Sequence, residues 1–144
     1  MTLMMLPVAL VTTGAAALIN LWIAWRASQV RLSEKIMVGD GGNERMVARM
    51  RAHANFSEYT PIVLILIALI ELARGSLLWL WAAAALYLLG RICHVFGMDG
   101  WLRGRVLGIA ITMIVTAGLA IYAATIPWLG QADVPTVLDV TRPA

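Results

Sequence analysis

The sequence predicts an all-α integral membrane protein, a bundle of four transmembrane helices. Three observations carry this expectation. The 144 residues are 61% hydrophobic and only 13% charged, with a mean hydropathy of +0.83, whereas soluble domains are typically about half apolar and about a quarter charged. Four apolar runs follow one another with short polar breaks between them. Finally, nine of the eleven Lys and Arg residues fall on alternate breaks, the pattern of a chain that crosses a bilayer four times. The length suits one domain, 1–144.

The first helix is expected at about 3–25. Its leading "MTLMML" has no positive charge and its apolar run is long for a signal peptide, so a retained helix is the better reading than a cleaved leader. A polar loop with a "GDGG" turn at Gly39–Gly42 leads to the second helix, at about 48–73. Arg74-Gly75-Ser76 makes a tight hairpin into the third, at about 77–96, and a glycine-broken link leads to the fourth, at about 106–128. A run of roughly 20 apolar residues crosses the hydrocarbon core, and the first, third and fourth segments meet that length. Residues 130–144, with Pro135 and Pro143, read as an extended tail.

Arg26, Arg31, Lys35, Arg45, Arg49 and Arg51 lie on the first loop and its helix ends, and Arg91, Arg103 and Arg105 on the third. The positive-inside rule then puts both basic loops in the cytoplasm and both termini outside, consistent with an inner-membrane protein. Trp22, Trp25, Trp79, Trp81 and Trp128 stand at helix ends, where aromatic belts form. The arginines flank apolar runs and build no polar basic face, which argues against nucleic acid as a partner. With Cys93 alone, no internal disulfide is possible.

The second segment is informative because it is too short. From Pro61 to Leu72 it has twelve residues, about 18 Å as a helix, against a core of about 30 Å. One possibility is that it does not span, with Thr60 as N-cap and Pro61 as the first helical residue. The other is a helix extended backwards through Pro61, which carries Asn55 and Glu58 to membrane depth. The charge asymmetry favours the extended helix.

A membrane-embedded glutamate must face the bundle interior and find a partner. Arg51, Asn55 and Glu58, at i, i+4 and i+7, share one helical stripe. An arginine fork suits a carboxylate, a glutamate suits an ammonium, and an asparagine pairs with peptide groups. Glutathione carries all three. A polar network that merely glues helices together fits the spacing equally well. Tyr87, Arg91 and His94 form a second stripe on the third helix near the same end. Arg91 alone reads as a snorkelling residue and His94 alone as a hydrogen-bonded interior histidine; next to the first stripe they suggest a pocket. A metal site is disfavoured, because Glu58, Cys93, His94 and His53 show no paired ligand spacing. "GRVLG" at the start of the fourth helix is a GxxxG, which permits close helix approach.

The run "RAHANFSEYTP" resembles the second-helix signature of the MAPEG family, the membrane-associated proteins in eicosanoid and glutathione metabolism. Gly90, Arg91 and His94 extend the likeness to the third helix, and an arginine near the start of the fourth completes it. The resemblance implies a homotrimer of four-helix bundles that binds glutathione as co-substrate between subunits. It implies binding roles for Arg31 (with Arg26 close), Arg51, His53, Asn55, Glu58, Tyr59, Arg91 and His94. Arg105, with Arg103 as second choice, would hold the thiolate and lower its pKa by favouring the charged form. That thiolate would attack a lipophilic electrophile from the bilayer or reduce a hydroperoxide.

Two departures bear on catalysis. His94 and Met98 stand where some catalytic members carry tyrosines. The activity that the resemblance implies is that of a glutathione-dependent transferase or peroxidase. The alternative is a non-enzymatic protein that holds a lipid or small amphiphile in the same cleft. A transporter or channel subunit fits less well, since the polar residues cluster at one side rather than through the full depth.

Overall fold

The computed structural model describes residues 5–129, so the expected tail at 130–144 and the first residues of the expected first helix lie outside the described residues. Four helices follow one another, α1 (Pro7–Ser33), α2 (Glu44–Arg74), α3 (Leu78–Gly97) and α4 (Leu102–Leu129). All four are long and apolar enough to cross a membrane. α1 packs on α2 and α3, and α4 packs on α3 and α2.

Three helices are longer than their apolar runs. α1 begins with Pro7 in its first turn, where the missing N–H removes no bond. It continues eight residues past Trp25, because nothing in "RASQVRLS" breaks a helix. It stops where Lys35 takes a left-handed backbone, φ 56°. There the Ile36 N–H donates to the Arg31 carbonyl at 2.9 Å and the Lys35 N–H to the Leu32 carbonyl at 3.4 Å. These are the two bonds of a Schellman ending, made here with lysine in place of the usual glycine. α2 starts at Glu44 rather than near residue 48, because the Asn43 side chain accepts the Met46 N–H at 3.0 Å and caps it. α4 begins at Leu102, four residues before its apolar run.

α2 runs unbroken through Pro61. Its 31 residues span about 46 Å. Thr60 is not an N-cap: its hydroxyl lies 3.0 Å from the Tyr87 hydroxyl on α3. The helix extended backwards through Pro61, and not the short one that starts there, is the one observed. The proline removes one backbone donor, and contacts on both sides keep the helix in one piece, with Phe56 and Thr60 buried before it and Val63, Ile67 and Ile70 after it.

The core half away from the basic loops is apolar, built from Val8, Val63, Ile67, Ile70, Leu80 and Leu119 with Tyr87 at its edge. A smaller cluster of Ala16, Ile23, Phe56 and Val95 fills the other half. The inward stripe of α3 is Leu80, Ala84, Tyr87, Arg91 and His94, and that of α4 is Gly104, Gly108, Thr112, Val115 and Leu119. A Cβ on Gly108 would meet the Gly90 carbonyl oxygen at 2.7 Å and the His94 Cβ at 2.6 Å. The GxxxG thus sets how closely α4 approaches α3 within one chain.

The two ends of the bundle are tied differently. At the apolar end, α1 lacks a side-chain cap of its own. Glu71, near the end of α2 and only 2% exposed, accepts the N–H groups of Val8 at 2.9 Å and Ala9 at 2.8 Å. The Ser76 hydroxyl also donates to it, at 2.6 Å. A carboxylate at a helix N-terminus satisfies free amides and complements the macrodipole. At the basic end, Asp99 in the turn between α3 and α4 pairs with Arg26 of α1 and, at 3.1 Å, with Arg49 of α2.

Candidate functional site

The polar residues of α2 and α3 meet near the basic end. Arg51, Asn55 and Glu58 share one side of α2, as their spacing predicts. They line a cavity of about 100 Å³ together with Ala54, His94, Met98, Arg105 and Ile109. α2 supplies the first three, α3 supplies His94, and Met98 follows α3 directly. Arg105 and Ile109 come from the first turns of α4. His94 is buried, whereas Arg51, Glu58 and Arg105 are exposed on a single chain.

Behind this cavity lies Arg91, whose side chain is fully buried. Its Nη2 donates to Asn55 Oδ1 at 2.8 Å and its Nη1 to Thr112 Oγ1 at 3.2 Å. The guanidinium also sits 5.5 Å from the Phe56 ring centre. No carboxylate lies within salt-bridge distance of Arg91 among the described residues. Its Nε finds no hydrogen-bond partner there either. A buried charge without a counter-ion is expensive. Arg91 is therefore no snorkelling residue, and it reaches the cavity through Asn55, on a wall that Arg51 and Arg105 also line.

Arg91 also fixes the neighbouring asparagine. By donating to Oδ1 it directs the Asn55 amide group away from itself and leaves it free to donate. His94 Nδ1 is buried without a partner among the described residues. The cavity thus offers cationic groups, an amide and an imidazole, with Glu58 as the one carboxylate on it among the described residues. That array suits a ligand with more than one anionic group and an ammonium or amide.

Other expected residues lie elsewhere. Arg31 reaches Met50 Sδ at 3.8 Å and does not line the cavity. His53 and Tyr59 are half-buried on α2 and are not on the cavity wall; His53 Nε2 has no partner among the described residues. Arg26, close to Arg31 in sequence, is engaged with Asp99. Arg103 is exposed and outside the lining, which falls to Arg105. Tyr87, from the same stripe as Arg91, spends its hydroxyl on Thr60. Thr112 had no distinguishing sequence context, since a threonine in an apolar helix is ordinary. Its register with Gly108 and Val115 was the only signal available. No group of three His, Cys, Asp or Glu side chains able to hold a metal ion occurs among the described residues.

Comparison with known proteins bears on this arrangement. The model of the MAPEG family matches residues 9–125, which include all four helices' inward stripes but for Val8. The inner membrane protein YecN of Escherichia coli K12 is 29% identical over 83 residues, 57% of this chain and 63% of that protein. YecN of Escherichia coli O6:H1 matches to the same extent. The chain thus spans just under two thirds of the length of these curated relatives.

Proposed function

The chain belongs to the MAPEG family, and from that premise we propose that it is a glutathione-dependent transferase or peroxidase of the bacterial inner membrane, acting on lipophilic electrophiles or hydroperoxides. The observation that carries this reading is Arg91, buried with no carboxylate partner among the described residues and bonded to Asn55 on the wall of a cavity that Arg51 and Arg105 also line. A buried cation without a counter-ion is costly to keep, and such groups beside a cleft mark candidate sites for an anion. Arg51 takes one carboxylate of glutathione in its fork, Glu58 takes the ammonium, and Asn55, held by Arg91, donates to the peptide groups. Arg105 faces the sulfur and favours the thiolate.

The sulfur then attacks an electrophilic carbon, a C–S bond forms and the leaving group departs with its electron pair. With a hydroperoxide, two glutathione molecules are oxidised to the disulfide while the peroxide is reduced to alcohol and water. The electrophile enters from the bilayer, past Ile109 and the apolar face of α4. Both basic loops lie in the cytoplasm and both termini outside.

The size of the cavity supports a site shared between copies. Pockets for small ligands usually measure about 300–1,000 Å³, so the 100 Å³ of one chain holds only part of a tripeptide. We place the remainder on a second copy in a homotrimer, where the exposed flank of Arg51, Glu58 and Arg105 is covered. Arg31 and His53, which lie off the cavity in one chain, serve the cleft from that neighbour.

Met98 on the cavity wall favours a second reading. A thioether donates no hydrogen bond to a thiolate or an oxyanion, so the site could retain its ligand without turning it over, as a lipid or amphiphile binder does. Conjugation of glutathione to a generic aryl halide, measured beside direct glutathione binding, separates the two. We expect Arg105→Ala to abolish turnover with binding kept, and Glu58→Ala to weaken binding. Saturable binding with no turnover on any electrophile or hydroperoxide would decide for the binder.

A further inference from the structure

A second basic site lies between α1 and α2, and it owes nothing to the glutathione cavity. A cavity of about 390 Å³ is lined by Trp25, Arg26, Gln29 and Ser33 of α1 and by Arg45 and Arg49 of α2. Among the described residues, Asp99 is the one carboxylate within salt-bridge distance of these arginines, and it takes Arg26 and Arg49. Three guanidinium groups against one carboxylate leave the wall cationic. Arg26 Nη1 and Arg49 Nε and Nη1 are buried and have no hydrogen-bond partner among the described residues. Buried donors of this kind call for an acceptor.

An apolar groove lies one helical turn away along α1, on the far side of Arg26. It has a volume of about 350 Å³ and is lined by Leu18, Ile19, Trp22, Ile92 and Phe96, between α1 and α3. Arg26 joins the two: it lines the basic cavity, and its guanidinium stands 4.8 Å from the Trp22 ring centre and 5.5 Å from that of Phe96. The basic cavity lies at the polar ends of two membrane helices, and the groove lies along their apolar part. We propose that this pair of concavities binds an anionic glycerophospholipid, its phosphate held by Arg26, Arg45 and Arg49 and an acyl chain lying in the groove. The surplus positive charge selects a lipid with net negative charge over a zwitterionic one. Free phosphate would occupy only the cationic half and leave the groove unused.

Native mass spectrometry of the full chain in neutral detergent tests this, with three probes: phosphatidylglycerol, phosphatidylcholine with the same acyl chains, and inorganic phosphate. Phosphatidylglycerol is expected to bind saturably, at least about tenfold more tightly than phosphatidylcholine, and to resist displacement by millimolar phosphate. Arg45 takes no part in the Asp99 ion pairs, so Arg45→Gln leaves the helix ties intact; it should weaken phosphatidylglycerol about fivefold. Asp99→Asn removes the competing carboxylate and should tighten lipid binding, although it loosens the helices. A purely structural role for the arginines predicts no such gain. Arg74→Gln, at the opposite end, should change nothing. Equal retention of the two lipids, undiminished phosphatidylglycerol binding in Arg45→Gln, or displacement by inorganic phosphate would each overturn the proposal, the last in favour of a free-anion site.

Discussion

At the scale of single residues, Arg91 separates stability from function. It is fully buried and bonded to two neutral oxygens. A buried charge that lacks a counter-ion carries a desolvation cost that an apolar side chain of similar length does not. Arg91→Met should therefore leave the detergent melting temperature at or above that of the parent, while glutathione binding, measured by calorimetry, falls by about tenfold or more, since the charge-assisted bond that orients Asn55 toward the ligand, worth about 1.5–3 kcal/mol, is lost. A drop in melting temperature with unchanged binding would assign Arg91 to the fold alone. The same residue shows what a sequence can and cannot reveal. Its spacing from Tyr87 and His94 placed it on a polar stripe. That it meets no carboxylate among the described residues depends on where α2 and α4 come to rest, which no one-dimensional spacing records. Lys35 was likewise illegible as a helix ending, because glycine is the usual signal for a left-handed backbone. Lys35→Gly should stabilise the protein by about 1 kcal/mol in a denaturant titration, by relieving that conformation.

At the scale of elements, the apolar runs located the helices, but polar chemistry sets where they end. The Asn43 cap could have been read from an asparagine before an acidic first turn. The continuity of α2 through Pro61 follows from an argument of length, since twelve apolar residues cannot reach across the hydrocarbon. Its tie through Thr60 and Tyr87 needs the third dimension. The closeness of α3 and α4 rests on Gly108 lying against Gly90 and His94. Gly108→Leu should force these helices apart, with about 1–3 kcal/mol of lost stability, and should also reduce glutathione binding, because His94 lies on both the contact and the cavity. A binding loss without a stability loss would mean that the contact is looser than these distances indicate. Glu71 ties two elements at once. Glu71→Ala should cost about 3 kcal/mol, read as a lower midpoint in detergent denaturation, and Ser76→Ala much less, since it removes one neutral donor.

At the scale of the whole molecule, the bundle has its polar groups inside and near one end, and an apolar exterior. Leu10, Leu18, Leu21, Ile62, Ile114 and Ile121 all face outward, as a lipid-solvated surface requires. The exposed flank of Arg51, Glu58 and Arg105 interrupts that pattern. If a second copy completes the cleft, glutathione affinity should depend on protein concentration in detergent and vanish when light scattering reports monomers. Affinity that persists in the monomer would place the whole site on one chain. The tie between Glu71 and the amides of Val8 and Ala9 has a consequence for biosynthesis. Those amides emerge from the ribosome more than sixty residues before the carboxylate that accepts them. Until α2 has been threaded across, the leading end of α1 must stay among the headgroups or inside the insertion machinery, where water can serve it. Final seating of the first helix therefore waits for the second, and the pair settles into lipid as one hairpin.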